Sequence, residues 1–310
     1  SRGLGDVYKR QVHAGLWENL PKPFRSKFPQ PPYFEQWNQN QGIAVYSTAV
    51  PSGPPETLEF TNVNDYAQVY LDGELVGTLD RRLGQKSVKL PERRKPGTLE
   101  VLVEAMGHIN FHISMESDRK GIYGPVKLGT RELKNWTVRA LPLKADSIVR
   151  APKGKGPSQK REGAHFRAVV NIEEPQDTFL DMSRYVKGYV WVNGINVGRY
   201  WNVGPQLRLY VPAPFLKKGE NVIDILDLHE KEPKPVRGMK ERNKEPGKIN
   251  TKNLDNQWEC WCGFRLRFRI FHEFELWERP QAGSRFPGAA VSREFRFEHF
   301  SSQCRRAEWR

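Results

Sequence analysis

Hydrophobic and polar residues alternate in short runs along most of the first 230 residues. Between residues 41 and 143, runs such as "IAVYSTAV", "ETLEFTNV" and "GTLEVLVEAMG" carry apolar side chains at about every second position. This is the period of a strand with one buried face. A second block of the same kind covers residues 163–228. The pattern predicts an all-β protein made of two consecutive antiparallel β-sandwiches of the jelly-roll type.

The two blocks resemble each other internally. The segment "VYLDGELVGTL", residues 69–79, aligns without gaps on "VWVNGINVGRY", residues 190–200. About twenty residues later "GTLEVLV" matches "GENVIDI", and the apolar alternation of both segments suits a strand of the facing sheet. The repeat predicts a duplicated module that is centred on a hairpin.

Asp-Gly and Asn-Gly at the middle of the repeat predict two-residue turns of type I′, because both residues tolerate positive φ. With Asn193 and Gly194 as the loop, an unbroken ladder pairs Val190 with Val197 and puts Tyr189 and Trp191 on the opposite face. The same register pairs Val69 with Val76 in the first copy.

The other boundaries follow from composition. Residues 144–162, "KADSIVRAPKGKGPSQKRE", are predicted to be an interdomain linker. Residues 229–310 are predicted to be a charged loop followed by a tail. The tail differs from the rest of the chain in its use of basic residues, since residues 253–310 contain ten Arg and no Lys. That tail is interpreted as out-of-frame translation, or alternatively as an edge strand or a basic aromatic patch. Residues 1–11 are interpreted as a non-native leader that contains "DVYKRQ".

Charge and cysteine content exclude some classes. The net charge of +14 is spread over scattered Lys and Arg doublets, so no nucleic-acid partner is expected. The three cysteines lie after residue 259 with no CxxC spacing, so neither a metal site nor a cofactor is predicted. No apolar run is long enough to predict a membrane span.

The segment "KGYVWVNGINVGRYWNVGPQLRLYVPAPFLKKGENVIDILDL" resembles the C-terminal β-domain of the glycoside hydrolase family 35 β-galactosidases. "LWENLPKP", "NDYAQVYLDGELVGTLDRR", "LEVLVEAMGHINF" and "DRKGIYGPVKL" are similar to segments of the preceding β-domain in the same order. The chain departs from the family pattern at Ala105, His108, Phe111 and His112.

The resemblance implies galactose-binding-like domains of an enzyme that removes terminal β-galactose with retention. It also implies that both catalytic glutamates lie on an N-terminal (β/α)₈ barrel that this chain lacks, so residues 12–40 are expected to link to that barrel and no residue here is assigned a catalytic role. The barrel is the expected partner, with galactoside glycans as a further one. The family suggests a secreted, periplasmic or lysosomal-type compartment.

Five large side chains around the second hairpin are candidates for a sugar platform: Tyr189, Trp191, Arg199, Tyr200 and Trp201. The alternative interpretation is that they pack this domain against the barrel or the sister sandwich. Asp118, Arg119 and Lys120 are interpreted as a loop ion network.

Three functions remain open at this point. The chain is interpreted first as the non-catalytic part of a β-galactosidase. The alternatives are an autonomous galactoside-binding module and a basic nucleic-acid-binding protein.

Overall fold

The computed structural model describes residues 9–143, 155–157, 160–205 and 207–242, with side chains from residue 14 onward. In this part of the chain regular structure consists of strands and single-turn 3₁₀ helices, which confirms the all-β prediction. No helix among the described residues is long and apolar enough to cross a membrane. The three cysteines and the 253–310 tail lie outside the described residues.

The first sandwich is built from two antiparallel sheets. Its six-stranded sheet has the order β2-β11-β3-β8-β5-β6 and its four-stranded sheet the order β10-β9-β4-β7. The strands are β2 (Phe24–Arg25), β3 (Gly42–Val50), β4 (Glu56–Asn64), β5 (Tyr66–Leu71), β6 (Glu74–Asp80), β7 (Ser87–Leu90), β8 (Gly97–Ala105), β9 (Gly121–Leu128), β10 (Arg131–Glu132) and β11 (Thr137–Leu141). Apolar residues of both sheets, together with Phe34 and Trp136, fill the space between them.

The second sandwich has a five-stranded sheet and a three-stranded sheet. Their orders are β1-β12-β17-β14-β15 and β16-β13-β18. The strands are β1 (Lys9–Gly15), β12 (Ala164–Ile172), β13 (Thr178–Asp181), β14 (Lys187–Val192), β15 (Ile195–Trp201), β16 (Arg208–Val211), β17 (Gly219–Asp227) and β18 (Arg237–Met239). Phe166, Val190 and Ile225 are among the residues of its core.

Five 3₁₀ helices connect these strands. They are η1 (Trp17–Asn19), η2 (Phe34–Trp37), η3 (Arg81–Leu83), η4 (Ile113–Glu116) and η5 (Ala213–Phe215).

Both ends of the second sandwich extend past the predicted boundaries. β1 precedes the first sandwich in the chain, yet it pairs with β12 as an edge strand. It begins within the segment that composition set apart as a leader. β18 lies beyond residue 228, in the segment expected to be a charged loop, and pairs with β13. Val236, beside β18, is buried in the second core. This apolar residue holds the segment against the sandwich, although the charged residues around it made the segment look like an exposed loop.

The two predicted turns are confirmed, but the predicted register of both hairpins is wrong. Asn193 and Gly194 have φ values of 49° and 85°, as type I′ requires. The ladder then shifts, so that Val190 pairs with Gly198 and Val197 is left as an extra, bulged residue. The first copy has its bulge at the equivalent Val76. A bulge adds one residue to one strand, which an alternation rule does not anticipate.

Candidate functional site: the interface between the two sandwiches

The outer faces of the two large sheets pack against each other. Tyr70 and Leu102 lie on the first sheet, on the side opposite its own core, and Trp191 and Leu226 lie on the corresponding side of the second. The full cluster consists of Leu16, Trp17, Ile43, Val45, Tyr70, Leu102, Leu143, Trp191, Leu226 and Leu228. Strands β8 and β14 are therefore covered on both faces.

Trp191 lies in the middle of this interface and is 0% exposed. Tyr189 is half-buried and packs against the same cluster. An exposed ring is needed for stacking on a sugar, so Trp191 does not form the predicted platform. Trp191 and Tyr189 instead pack against the sister sandwich, as the alternative interpretation expects.

Tyr200 lies on the other side of the sheet, inside the second core. Its hydroxyl donates to Asp227 Oδ2 at 2.8 Å, and burial raises the pKa of Tyr200 well above its ordinary value. Burial also raises the pKa of Asp227, although four backbone N–H groups and the tyrosine hydroxyl donate to its carboxylate. This pair ties β15 to the end of β17 and is not accessible to a ligand.

A buried ion pair crosses the interface beside Trp191. Lys187 Nζ of β14 lies 2.5 Å from Glu104 Oε2 of β8, and both side chains are 0% exposed. Tyr189 donates its hydroxyl to the second oxygen of Glu104 at 2.7 Å. Burial lowers the pKa of Lys187, against the opposing effect of Glu104. The carboxylate is thus held by two groups of the opposite sandwich.

Trp201 lies between two cations at the edge of the same interface. Its ring is 3.9 Å from Lys187 Nζ and 3.8 Å from the guanidinium carbon of Arg82. The ring also meets Tyr66 edge-on at 5.5 Å. Arg199 is half-buried and lies close enough to lower the pKa of Tyr189 against the effect of burial. The structure therefore brings four of the five predicted residues to the interface and separates Tyr200 from them.

A second set of polar contacts, centred on His229, joins the two sandwiches and was not predicted from the sequence. His229 Nδ1 lies 2.7 Å from Glu162 Oε2, and its Nε2 lies 3.0 Å from the Tyr66 hydroxyl. Gln68 donates to the carbonyl oxygen of Leu228 at 3.1 Å. These partners are separated by up to 163 positions in sequence, so no local pattern could have joined them.

An ion cluster at one end of the first sandwich supports an exposed apolar segment. Lys120 Nζ is 2.9 Å from Asp65 Oδ2 and 3.2 Å from Asp118 Oδ2, and Arg81 lies 2.8 Å from both carboxylates. The predicted network of Asp118 and Lys120 is confirmed, whereas Arg119 instead lies near the ring of Tyr33. Both carboxylates are paired with Arg81 and Lys120. A catalytic carboxylic acid would instead have to be free to contact a substrate.

The segment above this cluster, residues 107–117, carries Phe111, Ile113 and Met115, whose exposures are 93%, 86% and 51%. Its base is fixed because the backbone N–H of Ile109 donates to Asp118 at 3.0 Å. The N–H of Met106, just before the segment, donates to Asp65 at 2.7 Å. We call this the 107–117 segment. Apolar side chains exposed to this degree on an anchored segment are typical of a surface that binds another protein domain.

Comparisons with known proteins agree with this architecture. Residues 31–143 match the family model for the first all-beta domain of beta-galactosidase, and residues 164–221 match the model for its galactose-binding domain. The two sandwiches are therefore β-domains of the glycoside hydrolase class. The chain belongs to the β-galactosidase family.

Three relatives illustrate the relationship. A beta-galactosidase of Xanthomonas manihotis is 39% identical over 64% of this chain and 32% of its own length. Beta-galactosidase-1-like protein 3 of Homo sapiens is 30% identical over 70% of this chain and 34% of its own length. The beta-galactosidase of Pongo abelii is 34% identical over 66% and 33%. The chain spans about a third of the length of the curated relatives it matches.

Proposed function

We propose that this chain is the non-catalytic part of a β-galactosidase that hydrolyses terminal β-galactosides with retention, and that its sandwiches pack on a catalytic domain. Retaining hydrolysis needs two carboxyl groups about 5 Å apart on either side of the glycosidic bond. Asp65 and Asp118 share their partners, but both carboxylates are already held by Lys120 and Arg81. The chain alone is therefore expected to be inactive.

The observation that carries the docking proposal is the 107–117 segment. Phe111 and Ile113 expose almost their whole side chains to water, and covering such side chains stabilises a complex by roughly 25 cal/mol per Å². The ion cluster beneath the segment restricts its backbone before binding, which reduces the entropy lost on association.

The test uses the other two thirds of the Xanthomonas manihotis enzyme, expressed without the region that matches this chain. Mixed with the 310-residue chain, this fragment should gain hydrolysis of 4-nitrophenyl β-D-galactoside and elute with the chain in size-exclusion chromatography. The double variant Phe111→Ser/Ile113→Ser should lose both effects.

Ile195→Ser is the matched control, because Ile195 is an exposed aliphatic side chain on the second sandwich. It should behave as the wild type. Hydrolysis by the chain alone would refute the non-catalytic role. Equal association of the wild type and the double variant would refute docking through the 107–117 segment.

The galactoside-binding alternative loses its original basis, since Trp191 is buried. The nucleic-acid-binding alternative rests on the basic segment 253–310, which lies outside the described residues.

A further inference from the structure

The outer face of the three-stranded sheet β16-β13-β18 carries two ordered rows of side chains. Tyr210, Phe179 and Met239 occupy paired positions and form one row. Arg208, Asp181 and Arg237 form the next. Leu180 and Leu209, which alternate with them, are buried in the second core. We call the two rows the outer platform.

The aromatic part of the outer platform is fixed in place. Tyr210 is 46% exposed, and its ring lies 5.3 Å from that of Phe179 at an angle of 45°. Its hydroxyl donates to Asp177 Oδ2 at 2.8 Å. The other oxygen of Asp177 accepts the backbone N–H of Ala213 at 2.8 Å. A ring held at both its face and its hydroxyl loses little conformational entropy when a ligand stacks on it.

The charges around the ring are balanced. Asp181 lies between Arg208 and Arg237 in the sheet, and Asp177 accepts the Tyr210 hydroxyl. These four charged residues offer hydrogen-bond donors and acceptors, and their charges sum to zero. The N–H of Ala213 and the hydroxyl of Tyr210 lower the pKa of Asp177, which keeps this carboxylate ionised as an acceptor. A neutral ligand rich in hydroxyl groups complements this arrangement, whereas a polyanion meets two carboxylates.

The size of the outer platform also selects the ligand. Three strands about 4.8 Å apart span roughly 10 Å, and two rows of one face lie about 7 Å apart along the strands. That area suits one or two sugar rings and is far below the roughly 800 Å² that each partner buries in a stable protein complex.

We propose that the outer platform is a binding site for a neutral saccharide, in which a pyranose ring stacks on Tyr210 while Asp177 and Arg208 bond its hydroxyl groups. This site is independent of docking through the 107–117 segment and lies on the opposite sheet from Trp191 in the second sandwich.

Affinity electrophoresis of the 310-residue chain tests the proposal, with soluble β-1,4-galactan in native gels as the probe. The wild type should be retarded in proportion to galactan concentration. Tyr210→Ala should weaken binding by at least about tenfold, since it removes the aromatic residue that anchors the ligand. Phe28→Ala removes a ring that is 59% exposed in the first sandwich and should bind within about twofold of the wild type.

Tyr210→Phe keeps the ring and loses the bond to Asp177, so it should fall between the two. It also separates loss of stacking from any disturbance of the fold. Absence of retardation of the wild type, or equal retardation of wild type and Tyr210→Ala, would overturn the proposal.

Discussion

Replacing Lys187 by methionine tests how the buried ion pair holds the two sandwiches together. Met has a similar length and no charge, so the variant leaves the Glu104 carboxylate buried with the Tyr189 hydroxyl as its remaining side-chain donor. Removing one partner of a buried ion pair costs about 3–5 kcal/mol, because the other charge stays desolvated. The free energy of unfolding should fall by that amount.

The double variant Lys187→Met/Glu104→Gln should behave differently. Both charges lose their hydration in the interface, and this cost can offset their mutual attraction, so the pair as a whole is expected to contribute little net stability. Glutamine can still accept the Tyr189 hydroxyl, and neither residue is then charged. The double variant should therefore lie within about 2 kcal/mol of the wild type, since buried ion pairs can often be replaced by neutral groups at small cost.

Thermal unfolding at pH 7, followed by tryptophan fluorescence, measures both effects. A loss of 3–5 kcal/mol lowers Tm by roughly 6–20 °C in a domain pair of this size. Lys89→Met is the control, because Lys89 is exposed on β7. The reasoning fails if Lys187→Met melts with the wild type, or if the double variant is no more stable than Lys187→Met alone.

Three further predictions concern the same structure. Trp191→Ala should lower the free energy of unfolding by about 3–5 kcal/mol through the cavity it leaves, measured by urea denaturation; a wild-type midpoint would contradict the buried interface. Gly188→Ala should destabilise by about 1–3 kcal/mol or more, because its Cβ would lie 1.8 Å from the carbonyl oxygen of Leu226; equal soluble yield and Tm would refute this contact. Although burial opposes it, the Ile109 N–H and the nearby Arg and Lys lower the pKa of Asp118 from 3.8. The ionised Asp118 therefore contributes its full stability above pH 3.8, and this contribution is lost as the pH falls towards the lower pKa of the folded state. The difference in unfolding free energy between the wild type and Asp118→Asn should shrink only below pH 3.8.

The hairpins show how far local sequence reaches. Asp-Gly and Asn-Gly predict the two turns because positive φ at both turn residues is a local property of these residue types. The bulges at Val76 and Val197 were not predicted. Whether a strand can take an extra residue depends on the neighbouring strands and on the core beneath it, and the local sequence does not show these. One bulge was enough to move Tyr200 from the predicted surface into the second core.

Alternation and the repeat determined that the chain forms two antiparallel sandwiches, because burying one face of a strand requires an apolar residue at every second position. The tertiary structure decided what covers the other face. Alternation has the same form whether an aromatic side chain faces water or a second sheet, so Trp191 was open to both interpretations until β8 was placed against β14. The contacts of Lys187 with Glu104 and of His229 with Tyr66 depend on the same packing, since their partners meet only after both sandwiches have formed.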